Sequence, residues 1–567
     1  LVASLSAFVL CRLPIIALNF SLNPDESQML ANAAKFMTDL NTWKSVDTTS
    51  SGPINAFVLM WANLLGGSSS FVTARLTQVA LLSGAWGMLF AATAGKPLLL
   101  RMVVGSLIIF CFAGVSEDIH YAAETVSVAL LALGIMVTAH QINAAVGWRT
   151  LAISAVALGL VPFAKLQAAP VAAVIGTWQI GYAAVRGSRL QRIKNLAVLI
   201  GGASAPALAM LVPLALTEGL RDFWISYIVW AQLYVLPSLS FAQLVQMVAL
   251  PSSYGFSGPV VELFFIGCLF VCACAVIAWL FRLNRFDPRE LQQLVFAAAV
   301  LLVSVFVVIR PGKLFPHYLH LLIIPSAFLT ASLWGTRAGW WPLAAHGRLL
   351  SGYQTAAVVL CAAAFFGTAF SVREVMVVHL PLEVRTATTF FGAGNLFRAG
   401  DAARPRLLIW GWMPQWYVYS DAIPATRDIL TQNEMMGWAV IDYFRSRLLR
   451  EVSAEPPDYI IDAVAPGSFF FNNPSQSGLA TFPALQQIVD ARYTLLSANS
   501  EGCPRVFALQ SVMRSLQDKY ADLKNIRESA HLVAEGKVFS AEHISDHLLF
   551  ETCVDRWLLP DAQTGFV

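Results

Sequence analysis

The strongest constraint on this chain is a series of long apolar runs separated by short polar loops. They lie near 3–20, 71–94, 102–115, 121–141, 150–163, 167–185, 195–216, 259–281, 291–309, 316–334 and 353–371. A bilayer core takes about 20 apolar residues per helix, so each run reads as a membrane span, with 102–115 and 150–163 the short ones. Of 567 residues, 57% are hydrophobic and 13% charged, against about 25% charged in soluble proteins. That composition excludes an ordinary cytosolic enzyme and a disordered chain. The net charge of +3 leaves no basic footprint for nucleic acid. The expected fold class is an α-helical polytopic membrane protein with about 11 transmembrane helices. The chain opens at Leu1 without a basic flank, so the first run reads as a retained span of a trimmed chain, not a signal peptide.

Basic residues set the orientation. The loops after spans two, four, six, eight and ten carry twelve Lys and Arg, from Lys96 through the Arg186–Lys194 group to Arg348. The opposite loops are longer and carry six: Lys35, Lys44, Lys165, Arg221, Arg310 and Lys313. The N-terminus is therefore expected in the cytoplasm of an inner or plasma membrane. The loops 21–70 and 217–258, and everything past about 373, are expected on the outer, periplasmic or extracellular side.

Three regions follow: a membrane domain over 1–372, an exoplasmic α/β domain over 373–510 and a helical extension over 511–567. The α/β reading rests on β-type runs at 406–412, 457–463, 493–499 and 503–510, separated by helical stretches such as 433–451. The extension is helical and amphipathic through 516–534 and 541–557. Six of the eight cysteines lie in apolar runs and read as buried thiols. The group Cys268, Cys272 and Cys274 finds no fourth metal ligand nearby. Cys503 and Cys553 could pair in an oxidising compartment.

Within 21–70, Asn23-Pro24-Asp25-Glu26 reads as a helix start, with Asn23 as N-cap and Pro24 in the first turn. Glu26 could close a capping box. A carboxylate such as Asp25 beside the bilayer is also well placed to take a proton from an acceptor hydroxyl. A second amphipathic helix is expected after Gly52-Pro53. A second acidic cluster precedes span four: Glu117, Asp118 and His120, then Glu124. Ionisable groups at a membrane boundary are costly and point to function. His120 and Glu124, four apart, could bond to one another. With Asp25, the residues Glu117, Asp118 and His120 could hold a divalent metal ion, although they match no defined ligand spacing. The third group is basic and runs against the orientation rule: Lys165, then Arg310 and Lys313 with His317 and Tyr318. A phosphate at headgroup level is their natural partner, and snorkelling to lipid is the plain alternative.

These features together resemble the GT-C superfamily of integral-membrane glycosyltransferases, in the branch of the lipid A aminoarabinose transferase and the protein O-mannosyltransferases. The resemblance is carried by Asp25-Glu26, Gly52-Pro53-Ile54, Glu117–Glu124, Lys165-Leu166-Gln167 with Pro170, and Phe315-Pro316-His317-Tyr318. In the tail it is carried by Trp410–Tyr417 and Pro424–Arg427. It implies transfer of a sugar from a polyprenyl-phosphate donor to a glycolipid, polysaccharide or protein acceptor on the outer face. It implies Asp25 as an inverting base, with Glu26 beside it as a second catalytic candidate. Lys165, Arg310, Lys313, His317 and Tyr318 would bind the carrier phosphate. Glu117, Asp118, His120 and Glu124 would position sugar or acceptor. A transporter or flippase of lipid-linked sugars would instead show inverted repeats and broken helices at mid-membrane. An O-antigen-type polymerase or ligase would carry its active loop late among the spans. A purely structural role would leave the acidic residues silent.

Overall fold

The computed structural model describes residues 1–17, 19, 21–67, 69–96, 98–114, 119–235, 287–312, 315–334, 404–464, 471–495 and 504–514, with single positions at 362, 366, 369 and 373. The chain forms two compact units. The first contains Leu1–Asn19, Thr49–Leu59 and Phe71–Met376, and the second contains Phe20–Thr48, Met60–Ser70 and Val377–Val567. The loop 21–70, read from sequence as one part of the membrane domain, is thus divided between them.

In chain order the first helices are α1 (Val2–Ile16), α2 (Pro24–Phe36), α3 (Pro53–Leu59), α4 (Trp61–Leu64), α5 (Phe71–Ala92), α6 (Leu98–Gly114), α7 (Glu124–Asn143), α8 (Trp148–Ala164), α9 (Ala169–Val185) and α10 (Arg189–Leu216). Further on lie the helices Pro288–Ile309 and His320–Trp334. Among the described residues, Glu124–Asn143, Leu166–Val185, Arg189–Leu216 and Pro288–Ile309 are long and apolar enough to cross a bilayer, and shorter apolar helices accompany them. The protein is a multi-pass membrane protein. The span expected at 259–281 and nearly all of 353–371 lie outside the described residues.

Two spans that look short in sequence are longer in the structure, because their first turns are basic. The Arg101 guanidinium lies 3.4 Å from the centre of the Phe90 ring and donates to the Phe90 carbonyl. Arg149 lies 5.5 Å from the Trp148 ring. A long basic side chain at a helix end finds a polar setting while its backbone stays helical.

The first unit packs around Phe8, Trp86, Ile108, Ile135, Ile175 and Phe328. α8 and α10 close on small residues, since a Cβ at Gly159 would strike the Ala203 backbone and one at Gly202 would strike Ala155. Buried Gln179 of α9 donates to Ser154 of α8 at 2.8 Å and to Thr138 of α7 at 3.1 Å. Hydrogen bonds between helices are worth making where lipid offers no alternative partner.

The second unit carries a five-stranded mixed sheet: β1 (Arg406–Trp410), β2 (Ile423–Pro424), β3 (Tyr459–Asp462), β4 (Tyr493–Leu495) and β5 (Arg505–Leu509), in the order β2-β1-β3-β5-β4. β1 runs parallel to β2 and β3, while β5 is antiparallel to β3 and β4. The four runs picked out in sequence supply four of these strands. The fifth, β2, is two residues long and ends in Pro424, which suits an edge because proline has no N–H for the ladder. The helix expected over 433–451 is Ile441–Ala454, preceded by a separate turn, Gln432–Met435. Leu408, Trp410, Leu448, Ile460 and Leu485 fill the core beside the sheet. The helices expected at 516–534 and 541–557, with Cys503 and Cys553, lie outside the described residues.

Residues 21–48 are built into this second unit. Ser21 N–H donates to the Tyr419 hydroxyl at 2.8 Å, and Arg427 donates to the Trp43 carbonyl at 3.3 Å. The deepest tie is ionic. Buried Arg447 holds Asp47 at 2.8 Å and Asp428 at 2.5 Å. Burial first, then the Asp428 charge, raises the nearby Glu434 carboxyl well above the usual range, against the pull of Arg447. Glu434 therefore stays neutral, and one guanidinium serves two carboxylates. Arg447→Met would strand both, at a cost of about 3–5 kcal/mol. Thermal unfolding of the intact protein in detergent should show that loss, and an unchanged midpoint would contradict the assigned role of the cluster.

Candidate functional site

The helix start read at residues 23–26 is present in the structure. Asn23 caps α2 by accepting the Asp25 N–H at 2.8 Å, with Pro24 in the first turn. Asp25 is half-buried and Glu26 fully buried. Both belong to the second unit.

In the first unit, the chain between α8 and α9 is broken by design of its residues. Pro162 sits in the last turn of α8, Lys165 is extended at φ −154°, and a 3₁₀ turn at Leu166–Ala168 leads into α9, which has Pro170 in its first turn. Lys165 is buried here. Its Nζ lies 2.8 Å from Oε1 of Glu124, with side chains 6% and 0% exposed. Glu124 is the first residue of α7, where the helix dipole also favours a carboxylate. It turns to Lys165 instead of back to His120.

Aromatic rings and imidazoles complete the surroundings. Lys165 Nζ is 5.3 Å from the centre of the Tyr318 ring. His317 stacks on Phe315 at 5.5 Å and meets Tyr318 edge-on at 5.0 Å. His120 and His317 lie 6.1 Å apart. His120 is held well below its ordinary pKa, by burial first and then by His317, His320, Arg75 and Arg12, so it is neutral. Its Nε2 makes no hydrogen bond among the described residues.

The segment Thr49–Leu59 braces the same break. Gly52 takes φ +67°, and a Cβ there would collide with the Phe163 carbonyl, so glycine is required on both counts. Asn55 donates to the Ala164 carbonyl at 2.6 Å, and Tyr121 donates to the Asn55 carbonyl at 3.2 Å. Gln167 reaches the Val307 carbonyl at 2.6 Å.

Of the residues singled out in sequence, the structure brings together His120, Glu124, Lys165, His317 and Tyr318. Arg310 lies exposed at the end of the helix Pro288–Ile309. Glu117, Asp118 and Lys313 lie outside the described residues. Among the described residues no group of three or more His, Cys, Asp or Glu could hold a metal ion.

Sequence reasoning missed Arg12, Arg75 and Gln78, all buried. Arg12 donates to the Phe112 carbonyl at 3.0 Å, to the Ile119 carbonyl at 2.5 Å and to Gln78. Gln78 in turn donates to the His120 carbonyl, and Arg75 donates to the Ile15 carbonyl at 3.0 Å. Arg12 and Gln78 anchor the backbone on which His120 stands, and Arg75 ties α5 to α1. The available signal was an arginine inside each of two apolar runs.

No family model and no curated protein matches the chain. Among solved structures, the crystal structure of ArnT from Cupriavidus metallidurans bound to undecaprenyl phosphate is similar over 89% of this chain and 96% of that chain, with a TM-score of 0.54 and 13% identity. The shared feature at that identity is the fold: a helical membrane protein with a sheet-containing extramembranous domain.

The helix that carries Asp25 has its own titrating anchor. Lys35 Nζ donates to the Pro424 carbonyl at 2.6 Å. Burial first, then the Arg406 charge, lowers its pKa from 10.5 to about 8. Between those values the unfolded chain binds a proton that the folded chain lacks, so this group makes stability rise with pH. From pH 8 to about 9.5, below the range where tyrosines titrate, the melting temperature of the wild type should climb relative to that of Lys35→Met. Parallel curves would contradict the assignment.

Proposed function

We propose that this protein is a glycosyltransferase that moves a sugar from a polyprenyl-phosphate donor to an acceptor at the outer face of a cell-envelope membrane. The observation that carries the reading is a buried ammonium, Lys165, at a helix break in a fold shared with ArnT, a GT-C membrane glycosyltransferase captured with undecaprenyl phosphate. A cation kept out of water among aromatic rings is suited to a single lipid-linked phosphate. It would also neutralise the charge that grows on the carrier phosphate as the glycosidic bond breaks.

In this reading Lys165 grips the carrier phosphate, with His317 and Tyr318 beside it and Arg310 and Lys313 contributing from the same loop. Asp25, at the start of α2, takes the proton of the acceptor hydroxyl and gives inversion at the anomeric carbon, with Glu26 adjacent. His120 supports sugar positioning, because a neutral imidazole with an unused buried nitrogen can accept from a hydroxyl. Glu117 and Asp118 precede it in the same role. The acceptor is a glycolipid or polysaccharide of the envelope in the first instance, and the N-terminus is cytoplasmic. The convergence of ionisable groups at one boundary of the membrane unit favours this over a flippase.

Transfer from an undecaprenyl-phosphate-linked sugar by the reconstituted protein tests the reading. Asp25→Asn should lower the rate by about 100-fold or more, the usual scale for a lost general base. Lys165→Ala and Arg310→Ala should weaken donor binding. A folded Asp25→Asn protein with wild-type transfer would remove Asp25 from the base role.

A further inference from the structure

The Lys165–Glu124 pair is an expensive device. Both side chains are almost fully out of water, at 6% and 0% exposure. Desolvating two charges commonly costs more than their attraction returns, so a buried pair is poor evidence of a purely stabilising role. Stabilisation is supplied here by other means, since Gln179 already ties α7, α8 and α9 together. The pair also sits where the backbone is irregular, Lys165 at the break after α8 and Glu124 at the first turn of α7. Irregular backbone near the membrane is tolerated where it is buried in protein or lines a cavity. An anion that reaches Lys165 meets an ammonium already matched by a carboxylate, and it must compete with that carboxylate.

We infer that Glu124 is a positioning residue that acts through Lys165: it holds the buried ammonium before the donor arrives, yields it to the lipid phosphate, and takes it back when the spent carrier leaves. This rests on the reading of Lys165 as the carrier-phosphate residue. Exchange of one anion for another keeps the ammonium compensated in every state. It also gives the site a built-in competitor that drives product release, so the carrier phosphate is never held too tightly for turnover.

The other titratable groups on the elements packed around Lys165 are His120 and Tyr121 before α7, His317, Tyr318 and His320 on the turn and helix that follow Phe315, and Tyr227, whose hydroxyl donates to the Pro162 carbonyl at 2.5 Å. All are present in wild type and variants, so differences between pH profiles isolate the pair.

The test measures undecaprenyl phosphate binding to the full-length protein in detergent, for wild type, E124Q, E124D and K165M, from about pH 6 to about pH 9. At the acid end E124Q should bind on the order of tenfold more tightly than wild type, because the competing carboxylate is gone. In turnover, E124Q should lower KM and kcat together. E124D keeps the charge but draws it back by one methylene, so it should lie between the two. If E124Q does not fold, E124D decides: affinity equal to or weaker than wild type overturns the inference. Binding by E124Q that tracks wild type at every pH also overturns it, while loss of binding in K165M leaves the reading of Lys165 standing. Undiminished binding by K165M would instead sink that reading itself.

Discussion

A charge taken out of water must be met by a counter-charge or by a shell of dipoles, and in this protein that requirement organises both units. Several kcal/mol per ion are at stake. In the membrane unit the requirement is met for Lys165 by Glu124, and Arg12 spends its guanidinium on backbone carbonyls and Gln78. The local backbone follows from those demands. α8 stops at Pro162 and Lys165 so that the ammonium can reach the start of α7. The residues before α7 are pinned through Arg12 and Gln78, which presents His120 beside His317.

The same rule shapes the second unit. Asp47 comes from the segment after the first span, while Asp428 and Arg447 come from the C-terminal domain more than 300 residues later. Their burial makes residues 21–48 a structural part of that domain. α2, with Asp25 and Glu26 in its first turn, is therefore mounted on a folded body and not on a loose loop. In the proposed reading, that rigid mounting lets Asp25 meet an acceptor hydroxyl in one orientation.

Much of this was legible in the sequence where local chemistry decides. The Asn23-Pro24 start, the helix after Gly52-Pro53 and four strands of the sheet follow from capping and from short β-type runs, which a few neighbouring residues settle. The lengths of α6 and α8 were less legible, because Arg101 and Arg149 look like span boundaries until their side chains are seen against Phe90 and Trp148. Pairings across the chain could not be read at all. Lys165 and Glu124 each stood out as a charge at a membrane boundary, but that each is the other's partner depends on how α7 and α8 pack. Arg447 gave no signal, since a helix of ordinary composition shows nothing in sequence of which face meets Asp47. Arg12 and Arg75 did carry a signal, the cost of a guanidinium within an apolar run, and it marks the support of the site.

The account turns on Lys165 as the point where a lipid-linked phosphate is held. An electron cryomicroscopy structure of the intact protein with undecaprenyl phosphate tests this most directly. It should show the phosphate at hydrogen-bond distance, about 3 Å, from Lys165 Nζ, with the ammonium drawn off Glu124. A phosphate bound elsewhere, with Lys165 still paired to Glu124, would contradict the account.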